Sequence, residues 1–301
     1  MRLALAFALA VVPPAGVAGS RVVSPGPVAA LAFDRARVAY ASGRSRGDCD
    51  RVRIWNLRSE RIARLGRTTA CVQTSTGTGI GALSIAGPRV LWLHYTGGNI
   101  REWSLFTATT SAPRPRRLRF IRRGVDDSAP IVLGEGDSRD RVLLPYAVDR
   151  RVIALRGDGT RRFSWTAPDR VTALGARGHV LAVALADGRI VVHDLALGTS
   201  TEIVEAGTAA AVFVSGDGIA AQYGRPVDLH GRQSYTATLP RGASLRDADG
   251  LQGLYTVGGR VKQLDLRRTR ATRDLGAAAY AQLESRKAAT ATDRVVRIIV
   301  R

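Results

Sequence analysis

The chain has 301 residues, 45% hydrophobic and 6% aromatic, a globular balance that excludes disorder and leaves room for one large β domain or two ordinary ones. A formal net charge of +20 raises nucleic acid first. Of the 45 basic residues, however, only Lys262 and Lys287 are lysine, and the arginines run through the whole chain, a skew that fits base composition. Most of the charge therefore reads as solvated surface. An anionic partner such as a cell-wall polymer or lipid is the main functional expectation, and a nucleic-acid partner is not expected.

Met1-Arg2, the apolar run Leu3–Val12 and the small-residue exit Ala15-Gly-Val-Ala-Gly-Ser20 have the three parts of a secretory signal. Pro13-Pro14 interrupts an apolar core already short for a membrane span. The expectation is a signal peptide over residues 1–19, a single domain over 20–301, no transmembrane anchor, and a secreted or cell-envelope location. In such an oxidising compartment Cys49 and Cys71 are expected to pair. They flank the polar segment Arg58-Ser-Glu-Arg61 symmetrically, as they would across a hairpin; such a bridge stabilises by about 3 kcal/mol.

Past the signal, Ser20-Arg-Val-Val-Ser24 is a short β-prone run followed by the turn Pro25-Gly-Pro27. Val28–Phe33, Arg37–Ala41, the octet Asp50-Arg-Val-Arg-Ile-Trp-Asn-Leu57 and Ile62–Leu65 then read as four strands joined by turns. The same order returns down the chain. Ile80–Ile85 and Val90–His94 precede the octet Gly98–Leu105; Ala129–Leu133 and Val142–Tyr146 precede Arg151–Leu155; Val171–Gly175 and Val180–Ala184 precede Gly188-Arg-Ile-Val-Val-His-Asp-Leu195. Ala211–Val214 and Ile219–Tyr223 precede a shortened copy, Gly224–Leu229; Ser244–Ala248 and Leu251–Tyr255 precede Gly259–Leu266; Ala278–Ala281 and Lys287–Ala291 precede Asp293–Val300.

The closing apolar residues, Leu57, Leu105, Leu155, Leu195, Leu229, Leu266 and Val300, recur at roughly 35–50 residues, the period of a propeller blade. Seven copies predict an all-β, seven-bladed β-propeller with four antiparallel strands per blade. The last copy has only three strands, whereas Arg21–Ser24 is left over. The ring is therefore expected to close by Val22-Val23 pairing beside Arg294–Val300, which removes an open edge.

The Gly-Arg-x-x-x-x-Asp-Leu closing strands, and Ile54-Trp55-Asn56-Leu57 above all, resemble the end of a WD40 repeat. The mature chain as a whole resembles the looser WD40-like and quinoprotein-like propellers exported by bacteria. It lacks the Gly-His dipeptide that precedes the first strand of true WD40 repeats, and only His193-Asp194 and Leu264-Asp265 keep the acidic position. The resemblance implies a propeller fold and carries no particular partner with it.

Chemistry-bearing motifs are few. His94, His179, His193 and His230 form no metal-ligand spacing, and the ends of the inner strands read mainly as Ala, Thr, Ser and Gly, so neither an axial metal nor another cofactor is expected. His193 and Asp194, as strand neighbours, point to opposite faces and cannot build a triad together. Gly77-Thr-Gly-Ile-Gly81 precedes a strand rather than a helix and reads as a linker. Arg46-Gly-Asp48 and Arg156-Gly-Asp158 read as turns. The one cluster above background is Pro113–Arg123, whose Arg114, Arg116, Arg117, Arg119, Arg122 and Arg123 make a candidate anion-binding patch. The expected function is a non-enzymatic, monomeric binding or scaffolding module for a protein or an anionic cell-envelope polymer. The rival is a lyase, or a metal- or quinone-dependent sugar or lactone enzyme, with its site at the channel mouth.

Overall fold

The computed structural model describes residues 20–42, 51–66, 77–98, 100–124, 129–205, 207–268 and 271–300. Cys49, Cys71, the first nineteen residues and Arg46–Asp48 lie outside the described residues.

The described chain is twenty-eight strands, with no helix among them. It opens with β1 (Arg21–Val23). Blade 1 is β2 (Val28–Asp34), β3 (Arg37–Ser42), β4 (Arg51–Asn56) and β5 (Ile62–Arg64); blade 2 is β6 (Thr78–Ala86), β7 (Arg89–Thr96), β8 (Ile100–Thr109) and β9 (Arg116–Gly124). Blade 3 is β10 (Ile131–Leu133), β11 (Leu144–Val148), β12 (Arg151–Leu155) and β13 (Arg161–Thr166); blade 4 is β14 (Val171–Arg177), β15 (Val180–Leu185), β16 (Arg189–Asp194) and β17 (Thr199–Val204). Blade 5 is β18 (Ala211–Ser215), β19 (Gly218–Gln222), β20 (Pro226–Gly231) and β21 (Tyr235–Thr238); blade 6 is β22 (Ser244–Asp249), β23 (Gln252–Val257), β24 (Arg260–Asp265) and β25 (Ala271–Ala277). Blade 7 is β26 (Tyr280–Glu284), β27 (Lys287–Thr292) and β28 (Val295–Val300), completed by β1.

Each blade is a four-stranded antiparallel meander, and each repeated octet becomes its third strand. The period of two along a strand explains how one sequence supplies two cores. In β3, Ala39 and Ala41 join the cluster shared with blade 2 that holds Trp92, while Val38 and Tyr40 join the cluster shared with blade 7 that holds Val296 and Ile298. Both faces are covered, so inner strands read as continuous apolar runs. Seven clusters of this kind fill the seven junctions between neighbouring blades.

Closure is as expected. β1 pairs antiparallel with β28, Arg21 opposite Arg297, Val22 opposite Val296 and Val23 opposite Val295. The Ser24 N–H donates to the Arg294 carbonyl at 2.7 Å, and the Ile298 N–H to the Ser20 carbonyl at 2.9 Å.

Several strands begin later than the sequence suggests, β10, β11 and β26 among them. β11 starts at Leu144 because Leu143 is held in a bridge to Asp137, inside a segment that folds over the channel instead of extending the sheet. β26 starts at Tyr280 because the Ala278 N–H still donates to Gly259 of blade 6. Four inner strands, β2, β6, β14 and β22, carry a bulge near their start, at Ala29, Gly81, Thr172 and Arg246. A bulge bends and twists the strand locally, and its recurrence at one level shapes the channel mouth at which the inner strands begin.

Candidate functional site

The arginine cluster foreseen from sequence forms the outermost strand of blade 2. A tight turn delivers it: the Ala112 N–H donates to Thr109 Oγ1 at 2.9 Å, and the Thr109 N–H to the Ala112 carbonyl at 3.2 Å. The end of blade 1 holds the next residues, the Gly66 N–H donating to the Pro113 carbonyl at 2.7 Å. Gly66 is needed there, because a Cβ would sit 2.7 Å from Pro115 Cδ.

Along β9 the burial pattern is set by a bulge. Leu105 pairs with Arg119 and Phe106 with Arg117, which leaves Leu118 out of register. Leu118 and Ile121, three residues apart, can then both pack on the blade 2–blade 3 core, which a straight strand of period two would not allow. Arg116, Arg117, Arg119, Arg122 and Arg123 are all exposed, as is Arg114 just before the strand. Phe120 is 42% exposed, with the guanidinium groups of Arg117 and Arg122 over its ring at 5.0 and 5.4 Å. Arg122 reaches Glu102 at 2.8 Å and Arg123 reaches Asp149 at 2.9 Å. The strip carries more positive charge than these two carboxylates balance.

A second cluster corrects the expectation for the channel. At the mouth where the inner strands end, the side chains are not small: Asp34, Glu135, Asp137, Arg139, Arg177, Asp247, Asp249 and Glu284 gather there. The acids tie blades together through main-chain donors. Asp34 accepts from the Gly87 N–H and the Ser138 hydroxyl, both at 2.6 Å, joining blade 1 to blades 2 and 3. Asp137 accepts from the Gly178 N–H of blade 4 at 2.6 Å. Asp247 and Asp249 accept from the Leu283 and Ser285 N–H groups beside blade 7, both at 2.5 Å.

Two arginines cross the mouth. Arg139 Nη2 lies 2.6 Å from Glu284 Oε1 and 3.5 Å from Asp249 Oδ2, while Arg177 pairs with Asp249 from blade 4. Burial alone would favour a neutral Asp249, but Arg177, the Ser285 N–H and Arg139 outweigh it and hold the carboxyl below its usual range. The remaining space at this end is about 20 Å3, room for about one water. Further up the channel a cavity of about 260 Å3 opens between Ala82, Leu133, Thr172, Ala211, Phe213 and Gln282, and Glu135 borders both spaces.

Close approach places Glu135. It stands between Gly134 and Gly136, where a Cβ would lie 2.7 Å from Leu174 Cβ and 2.5 Å from the Ile85 carbonyl oxygen respectively. Burial raises the Glu135 carboxyl well above the ordinary range, and the Asp247 carboxylate adds to the rise, so Glu135 keeps its proton and donates it to Asp247. Asp247, also raised by burial, is pushed up to about 7. Acids whose folded values lie above their unfolded ones stabilise fully below about pH 4, and that contribution is lost as pH climbs through about 7. Glu135→Gln keeps a donor toward Asp247 and removes one titration. It is expected to be about 1–2 kcal/mol more stable than the parent at pH 8 and no more stable at pH 5. Urea unfolding at both pH values checks this; identical pH dependence in the two proteins would refute it.

The histidines stay apart. His193 is buried against Phe163 and Trp165 at 5.0 and 4.5 Å, its Nδ1 is 2.7 Å from Ser200 Oγ, and burial lowers its pKa. Its neighbour Asp194 faces away and meets His179 Nε2 at 3.3 Å. No group of three His, Cys, Asp or Glu among the described residues has a metal-binding arrangement. Gly77 leads straight into β6, and Asp158 caps its own turn by accepting from Thr160. No helix among the described residues is long and apolar enough to cross a membrane.

No family model matches the chain, and no curated protein sequence does. Solved structures do. A chain of the mitotic checkpoint complex matches with a TM-score of 0.59 at 14% identity, over 99% of each chain. Raptor of Chaetomium thermophilum matches with a TM-score of 0.56 at 14% identity, over 92% of this chain and 28% of Raptor. The computationally designed Ika8 protein matches with a TM-score of 0.51 at 13% identity, over 93% and 98%. The first two are WD40 propellers, and at these identities the likeness is one of fold.

Proposed function

We propose that this propeller is a non-enzymatic binding module that works outside the cytoplasm and holds an anionic partner, a protein or a cell-envelope polymer, against the rim of blade 2. The observation that carries the reading is β9. Six arginines and an exposed phenylalanine stand on one fixed strand and its lead-in, and two carboxylates answer them. Guanidinium groups grip carboxylate and phosphate through paired donors, and a rigid sheet presents them without an ordering cost. The propeller fold shared with the matching solved structures is consistent with a binding or scaffolding role. The carboxylates at the channel mouth are consistent with it, since they are occupied by main-chain N–H groups and arginines around a space no larger than a water. The extracytoplasmic location rests on residues 1–19.

The test replaces Arg116, Arg117, Arg122 and Arg123 with Ser and measures binding to acidic glycans, anionic lipid vesicles and teichoic-type polymers. The parent is expected to bind at least one of these in a salt-dependent way, with the variant weaker by about tenfold or more and less sensitive to salt. Equal binding by the two proteins removes the basis of the reading.

A further inference from the structure

Within the described residues β9 is the outer edge of its sheet, and its far side has no strand partner. It is nine residues long, whereas β5 has three, β21 four, β13 and β17 six and β25 seven. Beyond the bulge, Arg119–Gly124 pairs with β8 in unbroken register. In an antiparallel ladder alternate residues turn both N–H and C=O away from their partner, so the part of this run over Arg119–Arg123 offers about two or three donor–acceptor pairs to an incoming strand. Long exposed edges invite pairing, and folded proteins commonly blunt them with charge. Here the charge has one sign.

That sign determines what the edge can admit. A second copy of the chain would set Arg against Arg, and like charges directly opposite are destabilising. A strand bearing Asp or Glu at alternate positions would meet Arg119, Arg122 or Arg123 across the ladder, and Phe120, held between Arg117 and Arg122, offers an apolar cross-strand contact. Building on the anionic-partner reading above, we infer that the outer edge of β9 takes up an extended acidic segment of a partner protein as a fifth strand of blade 2, a form of strand addition in which the main chain supplies affinity and the arginines supply selectivity.

The experiment compares two short labelled peptides of the same charge on the intact protein. Both alternate Glu with Val or Thr, and one is N-methylated at every backbone amide so that neither of its edges can donate to a strand. Fluorescence anisotropy is expected to show the unmodified peptide binding about tenfold tighter or more. Hydrogen exchange is expected to slow at Arg119–Gly124 with that peptide alone. The four-arginine variant is expected to lose both peptides. If the two bind equally and the variant loses both, the strand addition is wrong and the anionic grip stands. If neither peptide binds while an anionic polymer does, the strand addition again falls alone. If no anionic probe binds, both readings fall.

Discussion

A protein that begins at Pro25 is expected to melt about 5–10 °C below the parent and to aggregate on heating. β1 contributes only three residues, but they finish a ring. Val22 is half-buried in the cluster that joins blades 7 and 1, with Val28, Tyr40, Trp55, Val296 and Ile298. The strand adds main-chain bonds along β28, flanked by Ser24 to Arg294 and Ile298 to Ser20. Loss of a half-buried valine and several hydrogen bonds, less the entropy of the freed residues, is on the order of 2–4 kcal/mol, and at this chain length each kcal/mol moves the midpoint by about 2–4 °C. Removing β1 also bares the apolar strand Val295–Val300 as an open edge. Val22→Pro, which deletes the pairing N–H and the packed side chain, is the gentler form of the same test. A melting temperature unchanged in both would show that closure does not depend on β1.

Arg139→Met is expected to destabilise by about 2–4 kcal/mol, because breaking one side of a buried ion pair leaves carboxylates unpaired where water is scarce. Arg139 is 19% exposed in its side chain, and the partners Glu284 and Asp249 are 13% and 9% exposed. Arg177 still reaches Asp249, so the loss falls mainly on Glu284. Adding Glu284→Gln should then recover about half of it, and Arg139→Lys should cost less than Arg139→Met. By contrast Arg122→Ser, which breaks a pair whose arginine is 65% exposed, should change stability by less than about 1 kcal/mol. Equal effects of Arg139→Met and Arg122→Ser in chemical unfolding would mean that the crossing at the channel mouth has no structural weight.

The blades were legible because their signal is local. An apolar run, a turn residue and an octet repeat at one spacing, so Gly188–Leu195 could be matched to its copies without knowing what touches what. Closure was legible too, since a missing strand at one end and a spare strand at the other are both visible in the linear order. The channel mouth was not. Asp34, Arg139, Arg177, Asp249 and Glu284 come from five different blades, and nothing in the line of residues brings them together before the ring is drawn. A signal did exist, in the charged residue that follows the apolar run of several inner strands, at Phe33-Asp34, Ala176-Arg177, Ala248-Asp249 and Leu283-Glu284. Arg139 lacks even that, because it lies in the segment between β10 and β11, which reads as a linker and folds over the axis. The arginine strip was visible as composition; its place on an edge became clear only once β9 was seen to be last in its sheet.

The pairing of β1 with β28 also sets a timetable. β1 is made about 270 residues before its partner β28, so at roughly 5–20 residues per second it waits on the order of tens of seconds before the seventh blade can be completed. Until then the apolar faces of blades 1 and 7 have no neighbour, and the nascent protein is a growing arc with two open flanks. Its exposure to misassembly is thus concentrated in synthesis and ends with a single late event, the meeting of β1 and β28.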